Sequence, residues 1–439
     1  MGEELKKYYE TYDYSARTPV KIGLDDLRID QRHKLIESKH FCMLPWLHLH
    51  GWPTGEAYPC CLADDKLPLG DLKISTLSDI WNGDKLTSMR SNMLQDKPCA
   101  ECRKCYEQED MGFFSMRNSA NKHFGHHIAD VDKTAADGQH PEFKIRYWDV
   151  RFSNICNFRC RYCGPNFSSN WWEDKAALYG KESIGHSKFL YAGKHKDDIW
   201  DQMVEHIPHL EQIYFAGGEP LIMDEHYKLL LELINRKLTH VRLIYNTNFS
   251  ELNYKKHDVL ELWKEFPSVS VGASLDAMGT RAEYMRKGTT WSEIEDNRRR
   301  MLDICPGVDF YISATVSIFN VLHISDFHKD WTDKGLIKAQ DFNVNILQGP
   351  EYYRCDVLPA PLKAQAKIKI NETIDWLDGQ DHLKRATTGY QGIINFMDAQ
   401  DKSQLIDDFL AVTAKLDQHR NEDLATTFPE LRSMIDGTA

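Results

Sequence analysis

The chain has 439 residues, 42% of them hydrophobic, which is room for one large α/β domain and a smaller module. Its formal net charge of −12 opposes non-specific attraction to nucleic acid, because phosphate binding needs concentrated Lys and Arg. No stretch approaches the roughly 20 apolar residues that cross a bilayer, the start MGEELKKYYETYDYS is too charged for a secretory signal, and Lys6 stands where myristoylation needs Ser or Thr, so a cytoplasmic protein is expected.

In chain order, residues 1–40 read as an N-terminal extension and residues 41–118 as a cysteine-rich module. Six of the eleven cysteines lie here: Cys42, then twelve residues to Gly55, four more to the adjacent Cys60 and Cys61, and later Cys99-x2-Cys102-x2-Cys105. Such clusters are rarely disulfides in a cytosolic protein, so metal binding is favoured. The intervening PWLHLHGWPTGEAYPCC reads as a hairpin turning at Pro53–Gly55. LGDLKISTLSDIWNG follows, with helical character from Leu77. Iron–sulfur ligation competes with zinc, since C-x2-C pairs on a hairpin also suit a zinc ribbon. His48 and His50 would share one strand face, and His123, His126 and His127 fall in the polar stretch 119–143, read as a linker. All five read as structural or surface histidines, and none is assigned to metal.

From residue 144 to 350 short apolar runs alternate with amphipathic ones. Predicted strands are 147–153, 212–217, 241–246, 269–275, 310–319 and 342–347. The predicted helix 224–237 presents Tyr227, Leu230, Leu231 and Ile234 on one face. Six strands alternating with helices imply a parallel sheet. Residues 184–198 look like an inserted loop, and 351–439 form a mainly helical C-terminal region. The isolated Cys305 and Cys355 read as buried thiols.

Chemistry gathers at the strand ends. CNFRCRYC follows the first strand, GGEP (217–220) the second and NTN (246–248) the third, while SLD (274–276) closes the fourth. Loops at the C-terminal ends of such strands converge on active sites. Cys156, Cys160 and Cys163, spaced C-x3-C-x2-C, give three thiolates to a four-iron cluster and leave one iron open to a small molecule. Zinc in this position would normally take a fourth protein ligand. RYWDVRF and CNFRCRYC also contribute four arginines, which leaves room for a local basic groove.

With GGEP, this triplet resembles the radical S-adenosylmethionine (SAM) superfamily over roughly residues 145–350. The resemblance implies a partial (β/α)6 barrel, a [4Fe–4S] cluster on Cys156, Cys160 and Cys163, and SAM on the fourth iron. It also implies that Gly217, Gly218, Glu219 and Pro220 shape the loop that meets the SAM amino group. By the same analogy Tyr162 lies near the adenine, and Asn246 and Asn248 near the amino-acid or ribose portion. Ser274 and Asp276 suit ribose hydroxyls, and Arg286 suits the SAM carboxylate or, equally, a surface salt bridge. The N-terminal module is similar to the SPASM/twitch type of auxiliary-cluster domain. That similarity rests on C-x12-G-x4-C, LGD…LSDIWNG and the later C-x2-C, although such a module commonly follows the barrel. It implies one auxiliary [4Fe–4S] cluster on Cys42, Cys60, Cys102 and Cys105, with Cys61 and Cys99 as spares.

The expectation is a SAM-cleaving enzyme that abstracts a substrate hydrogen and uses the auxiliary cluster on a peptide or protein. An external reductant such as flavodoxin or ferredoxin would serve it. The competing readings are an enzyme of the same kind acting on a small sugar- or nucleotide-like metabolite, and a non-catalytic iron–sulfur or zinc protein.

Overall fold

The computed structural model describes residues 23–112 and 114–436. The charged start and the first 22 residues of the expected extension lie outside the described residues. Thirteen strands are present among those described: β1 (His48–Gly51), β2 (Glu56–Tyr58), β3 (Gly70–Asp71), β4 (Tyr147–Val150), β5 (Arg159–Cys160), β6 (Gln212–Phe215), β7 (Arg242–Thr247), β8 (Asn253–Tyr254), β9 (His257–Asp258), β10 (Val269–Ala273), β11 (Arg286–Lys287), β12 (Asp309–Val316) and β13 (Phe342–Ile346). Nine of them make one sheet, ordered β13-β12-β10-β7-β6-β4-β1-β2-β3.

The six expected strands, β4, β6, β7, β10, β12 and β13, pair in parallel in chain order. This is the parallel sheet of a partial barrel within an α/β fold. In β7 and β12 half-buried and buried residues alternate, whereas β10 (VSVGA) is buried throughout, as a central parallel strand requires. The helix Asp224–Asn235 covers the sheet with His226, Tyr227, Leu229, Leu230 and Leu233 buried. Leu231 and Ile234 are only half-buried, so the buried face is rotated from the apolar pattern. His226 takes a core position because its Nε2 pairs with the Tyr245 hydroxyl at 3.0 Å.

The N-terminal module is built onto this sheet. β1 runs parallel to β4, matching His48 with Tyr147, Leu49 with Trp148, His50 with Asp149 and Gly51 with Val150. The expected hairpin then turns back into β2 and β3, both antiparallel. Its turn uses Gly55 at φ 111°, where the Gly55 N–H donates to the Trp52 carbonyl at 3.0 Å. The expected helix at Leu77 runs to Trp81, started by a Thr76–Asp79 capping box. His48 and His50 are fully buried and direct Nδ1 at the Tyr147 and Asp149 carbonyls, at 2.8 and 3.0 Å.

Residues 119–143, read as a polar linker, contain helical structure instead: Met116–Phe124, a turn of 3-10 helix, and Ile128–Val131. Phe124, Ile128 and Val131 are buried there, and Asn121 binds the backbone of Phe41 and Met43. Buried Asn118, Asn121 and Lys122 interrupt the apolar stripe and hide the helix from the sequence pattern.

The C-terminal region is helical as expected, with helices Ala360–Trp376, Arg385–Ala399 and Ile406–Arg420. The second covers the edge strand β13, where a Cβ on Gly389 would lie 2.7 Å from Val344. The third clamps the segment after β4: Arg161 is fully buried, pairs with Asp417 and Glu422, and lies 3.5 Å over the Tyr284 ring. Arg420 closes the same contact by pairing with buried Asp174 at 2.8 Å. Among the described residues no helix is long and apolar enough to cross a membrane. Breaking a buried ion pair costs about 3–5 kcal/mol because it strands the other charge. Arg161→Met is therefore expected to lower Tm by several degrees in a thermal melt, and Lys287→Met, at a more exposed pair with Glu422, by less.

Candidate active site

β4 ends at Val150 and its chain turns into the loop carrying Cys156, Cys160 and Cys163. Short backbone bonds hold that loop: Cys163 N–H to Cys160 O at 3.0 Å, and Arg161 N–H to Met285 O at 2.9 Å. β5 also pairs antiparallel with β11, matching Cys160 with Arg286. The three cysteines line a cavity of about 550 Å³ at the C-terminal ends of the strands, together with Tyr162, Gly217, Gly218, Glu219, Asn246, Asn248, Ser274 and Arg286. Five segments separate in sequence thus meet in one space.

The glycines are steric requirements. Gly217 has φ 116°, and a Cβ on Gly218 would sit 2.0 Å from the Ile155 carbonyl oxygen, inside the loop that carries Cys156. Glu219 is buried and turned back onto the site's own loops: Oε1 accepts from the Leu221 N–H at 3.0 Å and the Thr247 hydroxyl at 2.7 Å, and Oε2 from the Asn248 N–H at 2.7 Å. Burial outweighs these bonds and pushes its carboxyl up to about 7. Asn246 donates to the Tyr214 hydroxyl at 2.6 Å and Asn248 to Asn157 at 2.8 Å, which ties β7 to its neighbours.

Arg286 donates to Asp276 at 2.6 Å, lies 3.6 Å from the Cys160 Sγ, and stands 5.5 Å from the Tyr162 ring centroid. Asp276 also accepts from the Thr315 N–H at 2.7 Å, so it sits behind Arg286 and does not line the cavity. Pro220 likewise lies behind the wall, buried in a 3-10 turn. Burial pushes the Cys163 thiol up to about 12 and raises those of Cys156 and Cys160. Thiolates in such a place need a cation beside them, and that donor set fits a cluster.

In the N-terminal module Cys42, Cys60, Cys102 and Cys105 interact electrostatically, and burial pushes Cys42 and Cys60 up to about 12. Cys99 turns its Sγ toward the Met89 carbonyl at 3.7 Å. Cys61 faces a separate cavity of about 280 Å³ beside Tyr147 and Tyr214. Cys305 and Cys355 are buried. His126 and His127 both direct Nε2 at Glu211, at 2.8 and 2.5 Å, with Arg146 3.4 Å from the same carboxylate.

The radical SAM superfamily model matches residues 150–316, and that of the iron-sulfur cluster-binding domain SPASM matches residues 42–106. Residues 150–316 thus carry a radical SAM domain and residues 42–106 a SPASM domain. A radical SAM domain implies a [4Fe–4S] cluster with SAM, and a SPASM domain implies auxiliary iron–sulfur ligation. No curated protein matches it. Among solved structures, native anSMEcpe with bound AdoMet is 19% identical over 53% of this chain and 62% of its own, with a TM-score of 0.38. The same protein with AdoMet and Cp18Cys peptide is 19% identical over 53% and 60%, with a TM-score of 0.32. TYW1 with a lysine-pyruvate adduct is 11% identical over 54% and 71%, with a TM-score of 0.26. The chain therefore spans about three-fifths of the length of the anSMEcpe structures it resembles.

Further cavity residues lie outside the family motifs, among them Arg151, Phe167, Lys175 and Tyr214. Two were legible as strand positions, since Tyr147, Asp149 and Arg151 alternate along one face, as do Gln212, Tyr214 and Ala216. The four arginines near the cysteine motif do not form a basic groove. Arg146 pairs with Asp130 and Glu211, Arg151 enters the cavity, and Arg159 and Arg161 face Asp174 and Asp417.

Gly218→Ala must displace backbone. SAM binding, read by equilibrium dialysis of reconstituted protein, is expected to weaken by about tenfold or more. Gly307→Ala, whose Cβ meets nothing within 4 Å, is expected to bind as the wild type does.

Proposed function

We propose that Cys156, Cys160 and Cys163 hold the SAM-binding cluster and that the enzyme abstracts hydrogen from a side chain of a peptide or protein. The observation that carries this is the single cavity shared by the three thiols, GGEP, NTN and Ser274. Bound together, the cluster and SAM supply a 5′-deoxyadenosyl radical that takes a hydrogen atom from the substrate. The chain's own residues position the partners. Gly217 and Gly218 let the loop backbone approach the SAM ammonium, and Glu219 holds that loop to β7. Tyr162 offers an aromatic face to the adenine, while Asn246, Asn248 and Ser274 offer polar groups to the ribose and amino-acid portion. Asp276 orients Arg286 beside Cys160. Pro220 starts the turn that fixes Glu219.

A cavity of about 550 Å³ is in the range that holds one ligand of SAM's size. The cavity opens to solvent, so a side chain of a peptide or protein can be delivered to it from outside. Cys42, Cys60, Cys102 and Cys105 hold one auxiliary [4Fe–4S] cluster in this reading. The match of residues 42–106 to an iron-sulfur cluster-binding domain supports a cluster over zinc there. A cytoplasmic location and a flavodoxin- or ferredoxin-like reductant complete the proposal, along with a module at 41–118, a connecting segment at 119–143, a barrel at 144–350 and a helical C-terminal region at 351–439.

Protein reconstituted without oxygen is expected to hold about eight iron and eight sulfide per chain and to release 5′-deoxyadenosine from SAM with dithionite. Cys160→Ala should end that release and lower iron by about four, and Cys105→Ala should lower iron by about four while the release persists. Full activity in Cys160→Ala contradicts the barrel assignment. One zinc with four iron contradicts the auxiliary one. For the substrate, enzyme incubated with deuterated cell extract should gain deuterium in 5′-deoxyadenosine from the macromolecular fraction. Transfer from the small-molecule filtrate alone would overturn the peptide or protein reading.

A further inference from the structure

Two cations of the cavity, Arg151 and Lys175, are not engaged in placing SAM or the cysteines. Arg151 follows β4, and its backbone N–H donates to the Gly51 carbonyl at 3.0 Å, so the β1–β4 pairing sets its place. Its guanidinium lies 4.3 Å over the ring of Trp52, a residue of the N-terminal hairpin. Trp52 in turn packs edge-on against Phe167, a cavity residue just past the cysteine motif, at 4.9 Å. A guanidinium stacked on an indole keeps one orientation and presents its donors edgewise.

Among the described residues no acceptor is hydrogen-bonded to those donors. The Arg151 side chain is 15% exposed, its Nε is buried without a hydrogen-bond partner, and Asp149 lies 3.7 Å away, balancing charge without accepting a bond. Lys175, on the helix Trp171–Tyr179, faces the same cavity and makes no ion pair among the described residues. The other charged groups there are engaged: Glu219 with Leu221, Thr247 and Asn248, and Arg286 with Asp276. A largely buried guanidinium with its donors unpaired is costly unless a ligand or water meets them. A planar fork is matched by the two oxygens of a carboxylate or phosphate.

We infer that the substrate group entering this cavity is anionic, a carboxylate or phosphate gripped by the Arg151 fork with Lys175 as second cation, and that Trp52 from the auxiliary module sets the fork. This rests on the SAM-cavity reading and adds a substrate class to it. The wall that selects substrate is then composite: the barrel supplies the cations and the N-terminal module the platform beneath one of them.

The test uses the full chain, reconstituted and loaded with SAM, titrated calorimetrically at low salt with inorganic phosphate, N-acetylglutamate and N-acetylglutamine. At least one anion is expected to bind about tenfold or more tightly than the neutral amide, and which one does so separates a phosphate from a carboxylate group. Arg151→Met should weaken that binding by about tenfold, Arg151→Lys and Lys175→Met by about threefold, with SAM affinity within about threefold throughout. Lys175→Met and Arg151→Lys keep the test open if Arg151→Met fails to fold. Anions that bind no better than the amide overturn the inference. So does an Arg151→Met protein that loses SAM affinity but keeps anion binding, since the fork then serves the SAM carboxylate. Failure of the underlying reading shows separately, as wild-type protein that does not bind SAM.

Discussion

The parallel pairing of β1 with β4 is the constraint on which the rest of the molecule depends. β4 is the strand whose end launches the three-cysteine loop, and β1 is the strand whose hairpin begins the auxiliary module. Four residue pairs bind them edge to edge. The module thus extends the barrel sheet and is not tethered to it by a flexible link. This is why a SPASM domain ahead of the barrel in sequence still lies against the barrel's first strand. The same register lays Trp52 beneath Arg151 and buries His48 and His50 against β4.

A second constraint comes from the far end of the chain. Arg161 lies between Cys160 and Cys163, yet its guanidinium turns away from the cavity to Asp417 and Glu422. Arg420 reaches back to Asp174 and to the Arg159 carbonyl, at 2.8 and 2.7 Å. The cysteine loop is therefore held from one side by β11 and from the other by the helix Ile406–Arg420. Rigidity there matters because a cluster tolerates little drift in its three thiolates, and a loop by itself supplies little of it.

What was legible in the sequence followed from local physics. Alternation and apolar runs placed all six barrel strands, and cysteine spacing with GGEP placed the site at their ends. Gly55 marked the hairpin turn because its φ of 111° disfavours other residues. What escaped notice were features decided by partners distant in sequence. The helix Met116–Phe124 reads as linker because Asn118 and Asn121 are buried by bonds that the local pattern does not show. His226 shifted the buried face of its helix for the same reason, a bond to Tyr245. The bonds of Asp276 to Arg286 and the Thr315 N–H likewise join partners that its local sequence does not show. The four arginines suggested one basic surface, and the fold sent them in different directions.

The central claim is that three thiolates leave an iron open for SAM. It is tested most directly by electron paramagnetic resonance of the dithionite-reduced Cys105→Ala protein, in which the barrel cluster is left as the principal signal. Adding SAM should shift its g-values as the open iron gains amino and carboxylate ligands. A spectrum unchanged by saturating SAM would contradict the claim, because it would mean that the iron is closed or that the cysteines hold something else.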